Sequence, residues 1–138
     1  MARSLVDTNI LVYAQDRNES IKRPRAVELI DRLSAGGEFV LSAQCLNEFS
    51  SVVLRRGMPI ADVRTAVSTW SSLAEVLPLT QAATSAGLAA VERHGLSFWD
   101  ALIWAAAREA KVGVVVSEDF QHGREIEGVV FVNPFREA

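Results

Sequence analysis

The stretch LVDTNILVYA, residues 5–14, decides how the rest of the chain is read. One acid, Asp7, stands among apolar and neutral side chains. A carboxylate buried without a partner is costly, or it gives up its charge. Asp7 therefore needs either dedicated hydrogen-bond donors or a chemical role. Leu5 and Val6 read as a short buried strand that Asp7 terminates.

Outward from that strand the pattern alternates. Ala26, Leu29, Ile30 and Leu33 recur at helical spacing, and Gly36-Gly37 closes that helix. Phe39-Val40-Leu41 reads as a second strand, followed by Ser42 as a helix cap. Cys45, Leu46, Phe49, Val52 and Val53 form the apolar stripe of the helix it opens, which Gly57 and Pro59 end. A helix is expected from about Ala61 to Leu73, and another from Thr80 to His94-Gly95. Ser97 opens the most apolar helix, which runs through Ala110. Val114 to Val116 and Val129 to Val132 supply two further strands. β-Branched runs without polar alternation, separated by helices, predict a mostly parallel sheet of four to five strands, covered on both faces.

Composition narrows the possibilities. The 138 residues suit one domain spanning 1–138, and 49% hydrophobic with 22% charged residues is ordinary for a packed globule. The net charge of −3 does not attract nucleic acid overall, so such binding needs local Arg/Lys clusters or bound metal. The single cysteine, Cys45, excludes an internal disulfide and suits a reducing compartment. No basic leader with a cleavage site is evident. The longest uncharged run, Val76 to Val91, has 16 residues and contains Pro78, Thr80, Gln81, Thr84 and Ser85, which is too short and polar to span a bilayer. A cytoplasmic protein is expected.

The acids fall into place on this scheme. In open α/β folds, ligands bind at the carboxyl edge of the strands, where the following helices begin. Asp7 ends the first strand, and Asp119 lies two residues beyond Ser117 and its strand. Asp100 falls in the first turn of its helix, and Glu48 lies on the margin of the stripe that follows Ser42. Each alone has a structural explanation: a strand-end acceptor for Asp7, a capping box with Ser97 for Asp100, a solvated helix acid for Glu48, a turn residue for Asp119. Together they converge on one edge. Clustered carboxylates repel unless cations neutralise them, and hard divalent cations prefer oxygen. The pattern favours a metal site.

These residues resemble a known family. LVDTNILVYA, Glu48 in SAQCLNEF, Asp100 in LSFWDALIWAAA and Asp119 in VVVSEDF are similar, in order and spacing, to the acidic motifs of the PIN domain. The resemblance extends from Asp7 to the final VVFVNPF, and the size looks like that of VapC-type toxins of bacterial toxin–antitoxin pairs. It implies a three-layer α/β/α sandwich and Mg²⁺- or Mn²⁺-dependent cleavage of RNA, often by a homodimer. Asp7, Glu48, Asp100 and Asp119 would be catalytic metal ligands. Thr8, Asn9 and Ser117 would support them. Glu118, directly before Asp119, can substitute for it on composition, although Ser117-x-Asp119 fits the motif better.

The chemistry agrees with this reading. Phosphodiester hydrolysis needs an activated water, a neutralised phosphate and a stabilised leaving oxygen, and carboxylate-held Mg²⁺ serves all three. Neither Gly-x-Gly-x-x-Gly nor a P-loop occurs among the eight glycines, which argues against a nucleotide-binding domain. Asn9 stands where a phospho-aspartate phosphatase typically carries a second Asp. The remaining alternatives are an RNA-processing PIN nuclease without a toxin role and a non-catalytic PIN-like binding module. A cognate antitoxin that masks a free nuclease is the expected partner. Trp70, Trp99 and Trp104 fall in helices and are expected in the core or at a dimer interface rather than as base-stacking platforms. Lys22, Arg23 and Arg25, and separately Arg55 and Arg56, form small basic clusters read as solvated surface that can also touch RNA phosphates.

Overall fold

The computed structural model describes residues 2–136. Its elements, in chain order, are β1 (Ser4–Val6), α1 (Thr8–Gln15), α2 (Lys22–Ala35), β2 (Phe39–Ser42), α3 (Ala43–Arg55) and α4 (Ile60–Leu73). There follow β3 (Glu75–Leu77), α5 (Gln81–His94), α6 (Phe98–Glu109), β4 (Val114–Val116), β5 (Glu125–Ile126) and β6 (Val129–Val132). One six-stranded sheet has the order β3-β2-β1-β4-β6-β5. All neighbours pair in parallel except the short β5, which runs antiparallel to β6.

The sheet has more strands than the four to five expected. The additions are short: β3 is a three-residue edge strand with Glu75 and Val76 exposed, and β5 has two residues. Neither buries enough apolar surface to leave a run in the sequence. The helix α1 was also missing from the sequence reading. Ile10, Leu11 and Val12 are consecutive and all buried, and they follow β1 so closely that the apolar run masks the helical period.

Helix ends follow local chemistry. The Ser42 hydroxyl accepts from the Cys45 amide at 3.1 Å, that of Thr80 from Ala83 at 3.0 Å, and that of Ser97 from Asp100 at 3.2 Å. Gly95 ends α5 at φ 69°, a left-handed conformation that a side chain would oppose.

The connections β1 to β2, β2 to β3 and β3 to β4 link parallel strands. Right-handed crossovers put α1 to α4 on one face of the sheet and α5 with α6 on the other. The packing agrees: α1 contacts α2 and α3, α3 contacts α4, and α5 lies along α6, which rests on β4 and β6. From Ala101 to Ala107 every residue of α6 is buried. Gly87 faces α6 so closely that a Cβ there would lie 3.3 Å from the Leu102 side chain and 3.5 Å from the Ala101 backbone. The polypeptide passes from β1 leftward to β2 and returns to β4 on the other side of β1. A crevice therefore opens beyond the ends of β1 and β4.

Candidate active site

Asp7 is the first residue after β1, and its amide donates to the Val116 carbonyl on β4 at 2.9 Å. Ser117, the first residue after β4, donates its hydroxyl to Asp7 Oδ2 at 2.7 Å. The Thr8 amide donates to Asp7 Oδ1, also at 2.7 Å, so Asp7 caps α1 while facing the crevice. It is 3% exposed, and these partners are neutral. Burial pushes its carboxyl up to about 6. The Ser117 and Thr8 hydrogen bonds oppose the rise, and the charges of Asp119 and Asp100 add to it.

Three more acids reach the same place from other elements. Asp7, Glu48, Asp100 and Asp119 all line one cleft of about 490 Å³, together with Thr8 and Asn9. Glu48 projects from α3, where Gln44, one turn earlier, donates Nε2 to Glu48 Oε1 at 2.7 Å. The Thr8 hydroxyl lies 3.4 Å from Glu48 Oε2. Asp100 enters from the first turn of α6. Burial raises its pKa, the Ser97 hydroxyl counters that, and the charge of Asp119 adds to it. Asp119 is exposed and accepts from Asn9 Nδ2 at 3.1 Å, while its amide donates to the Ser117 hydroxyl at 3.1 Å.

Glu118 takes a different direction. Lys22 Nζ donates to Glu118 Oε2 at 2.7 Å, and the Tyr13 hydroxyl bonds to its other oxygen. Burial tends to raise the Glu118 pKa, but these two donors outweigh it and hold the carboxyl below its usual range. Glu118 thus ties the loop after β4 to α1 and α2, and Asp119 is the one of the pair on the cleft wall.

Among the described residues, no three His, Cys, Asp or Glu side chains close around a common point as a finished cation cage. The donor set nevertheless fits a hard cation. Among the described residues, Asp7 is a buried carboxylate without a cationic partner. Asn9 Oδ1 beside it is buried with no hydrogen-bond partner among the described residues, and every ligand offered is oxygen.

The sequence reading missed several residues of the cleft. Tyr13, Asp16 and Glu19 line it, and once α1 is helical, Asn9, Tyr13 and Asp16 share a face by their spacing. Gln44 carries a visible signal, four residues ahead of Glu48 on one helix. Trp99, expected in the core or at an interface, is 61% exposed on the cleft rim, whereas Trp70 and Trp104 are buried as expected. Cys45 is buried and its thiol is pushed up to about 12 by burial, with the charge of Asp7 adding to the rise, so it is chemically quiet.

Solved structures share this architecture. A toxin–antitoxin complex from Klebsiella pneumoniae superposes with a TM-score of 0.71 at 19% identity, covering 95% of this chain and 97% of that one. VapBC2 from Rickettsia felis, bound to a DNA fragment from its promoter, gives 0.69 at 16% identity over 93% and 96%. The Mycobacterium tuberculosis VapC20, a sarcin-ricin loop cleaving toxin, gives 0.60 at 22% over 81% and 86%. No curated protein sequence matches the chain. Residues 4–124 match the PIN domain, and with most of its length so matched, the chain belongs to the PIN domain family.

Proposed function

We propose that this protein is a Mg²⁺- or Mn²⁺-dependent endoribonuclease, acting as the toxin of a VapBC-type pair. The observation that carries the reading is Asp7, a buried carboxylate with only neutral partners at a crevice where three further acids arrive from separate elements. A purely structural acid gains nothing from such neighbours, because each raises the cost of its charge.

Asp7, Glu48, Asp100 and Asp119 would hold the cation, and Thr8, Asn9 and Ser117 would fix the orientation of those carboxylates. Such an ion would supply neutralisation of the scissile phosphate and a lowered pKa for an attacking water. The protein's own contribution is placement. Ser117 and the Thr8 amide clamp both oxygens of Asp7, Gln44 aims Glu48, and Asn9 restrains Asp119. Glu118 remains engaged with Lys22 and Tyr13, outside this set.

The neighbours described as toxin–antitoxin complexes support an antitoxin as partner. A basic side chain of that partner would suit the acidic cleft. No helix among the described residues is long and apolar enough to cross a membrane. A cytoplasmic, homodimeric protein with residues 1–138 forming one PIN domain completes the proposal. The test is cleavage of RNA by purified protein free of any partner. Cleavage with Mn²⁺ that EDTA blocks is expected. If the Mn²⁺-loaded protein cuts no RNA, the nuclease reading fails and a PIN-like binding module replaces it.

A further inference from the structure

Trp99 has a placement that packing does not explain. It is 61% exposed, against 6% for Trp70 and 1% for Trp104. Its ring leans on Phe98, with centroids 5.5 Å apart and planes at 59°. Its backbone carbonyl accepts from Gln44 Nε2 at 3.0 Å, which pins the start of α6 to α3 beside Glu48. The side chain is thus a supported aromatic surface on the rim of the cleft that holds the four acids.

A second feature lies on the same cleft. Arg56, at the end of α3, lines it and also lines an adjoining groove of about 830 Å³ that continues past Arg17. Val12 and Asp16 border both spaces, so the two are continuous. Arg56 and Arg17 are exposed and form no ion pair among the described residues. Two exposed guanidiniums beside many acids, yet unpaired with them, are available for an anion outside the chain.

A protein partner typically receives an aromatic anchor within an apolar patch ringed by polar groups. The cleft around Trp99 is instead largely acidic and polar. An aromatic face followed along a groove by arginines is the arrangement that single-stranded nucleic acid requires, with bases stacking and phosphates paired. We propose that Trp99 stacks a nucleobase, and Arg56 holds a backbone phosphate, of one strand laid across the acidic cleft and into the Arg17 groove. This rests on the nuclease reading and names the residues that position its substrate.

The test uses the full chain with Ca²⁺. A labelled oligoadenylate is compared with an abasic strand of equal length by fluorescence anisotropy, with strand integrity checked on gels and cleavage followed separately with Mn²⁺. Wild type should favour the base-bearing strand. Trp99→Ala should lose roughly 5- to 150-fold in affinity for it while binding the abasic strand unchanged, the range for one lost stack. Trp99→Phe should keep most of the preference, and Trp99→Leu, which retains apolar bulk without a π-face, should not. Arg56→Gln should weaken both strands alike and reduce the slope of log K against log salt by about 0.7. Wild-type base preference in Trp99→Leu overturns the proposal, as does wild-type protein that binds neither strand. A changed oligomeric state in Trp99→Ala with strand binding intact also overturns it, and assigns Trp99 to a protein interface. If wild type cuts RNA but these variants bind as it does, the nuclease reading stands and this one falls. If wild type binds with the expected preference but cuts nothing, the reverse holds.

Discussion

Asp7 receives two hydrogen bonds of 2.7 Å and still has a carboxyl raised from 3.8 to about 6, because burial outweighs both donors. An acid whose folded pKa is raised binds more protons in the native state than in the unfolded one. Its penalty is absent below 3.8, grows as pH rises to about 6, and is complete above that. The shift corresponds to about 3 kcal/mol. Asp7→Asn keeps an acceptor for Thr8 and gains a donor toward Ser117. It should therefore abolish cleavage while leaving the metal-free protein as stable as wild type or more so at neutral pH. Thermal melts should show that gap shrinking as pH falls through about 6, and a large loss of stability would make Asp7 a structural residue instead. Glu118 has the opposite sign. Its lowered pKa contributes stability above 4.5 that is lost as pH falls through the folded value. With Lys22 partly exposed, Glu118→Gln should cost at most about 1 kcal/mol and retain cleavage. Asp119→Asn should lower cleavage roughly 100-fold or more. The opposite ranking would transfer the ligand role to Glu118.

At the scale of elements, the site depends on α6 being held in register. Its first turn delivers Trp99 and Asp100 to the cleft, while its buried stretch is clamped between the sheet and α5. Trp104 Nε1 donates to the Ile126 carbonyl at 3.0 Å, which satisfies the buried indole and ties α6 to β5. On the other side Ala83, Gly87 and Ala90 of α5 are buried and small, so the two helices approach closely. Gly87 has no room for branching, with Leu102 and the Ala101 backbone so near. Gly87→Val should destabilise the protein by about 2 kcal/mol through overpacking. Urea titration checks this, and an unchanged midpoint would mean that α5 separates from α6 freely. Because α6 would shift, cleavage should fall in the folded variant as well.

For the whole molecule, a net charge of −3 and a cleft lined by acids leave little general affinity for RNA. On the proposed function, divalent ions and the local arginines would supply what the surface lacks, so activity should depend steeply on metal and be abolished by EDTA. Expression of the protein without a partner should slow bacterial growth, and Asp7→Asn should relieve the effect. Normal growth with abundant soluble wild-type protein that is active in vitro would favour an RNA-processing role over a toxin.

The strands, caps and acids that local chemistry controls are legible in the residues alone. Leu5-Val6, Phe39 to Leu41, Val114 to Val116 and Val129 to Val132 are apolar because a parallel sheet is covered on both faces, and that pattern is written in the residues themselves. Ser42, Thr80 and Ser97 cap their helices for equally local reasons. The convergence of Asp7, Glu48, Asp100 and Asp119 was also legible, because strand ends and helix starts share one edge in this topology. Side-chain direction and exposure, by contrast, depend on how the elements pack. Adjacent Glu118 and Asp119 have the same chemistry, and only the position of Lys22 and Tyr13 sends one away from the cleft. Trp99 and Trp104 both lie on an apolar helix, and only the docking of α5 and the sheet buries one and leaves the other at the rim. The short β3 and β5 form because backbone groups at a sheet edge find partners across long sequence separations, which no local pattern of side chains records.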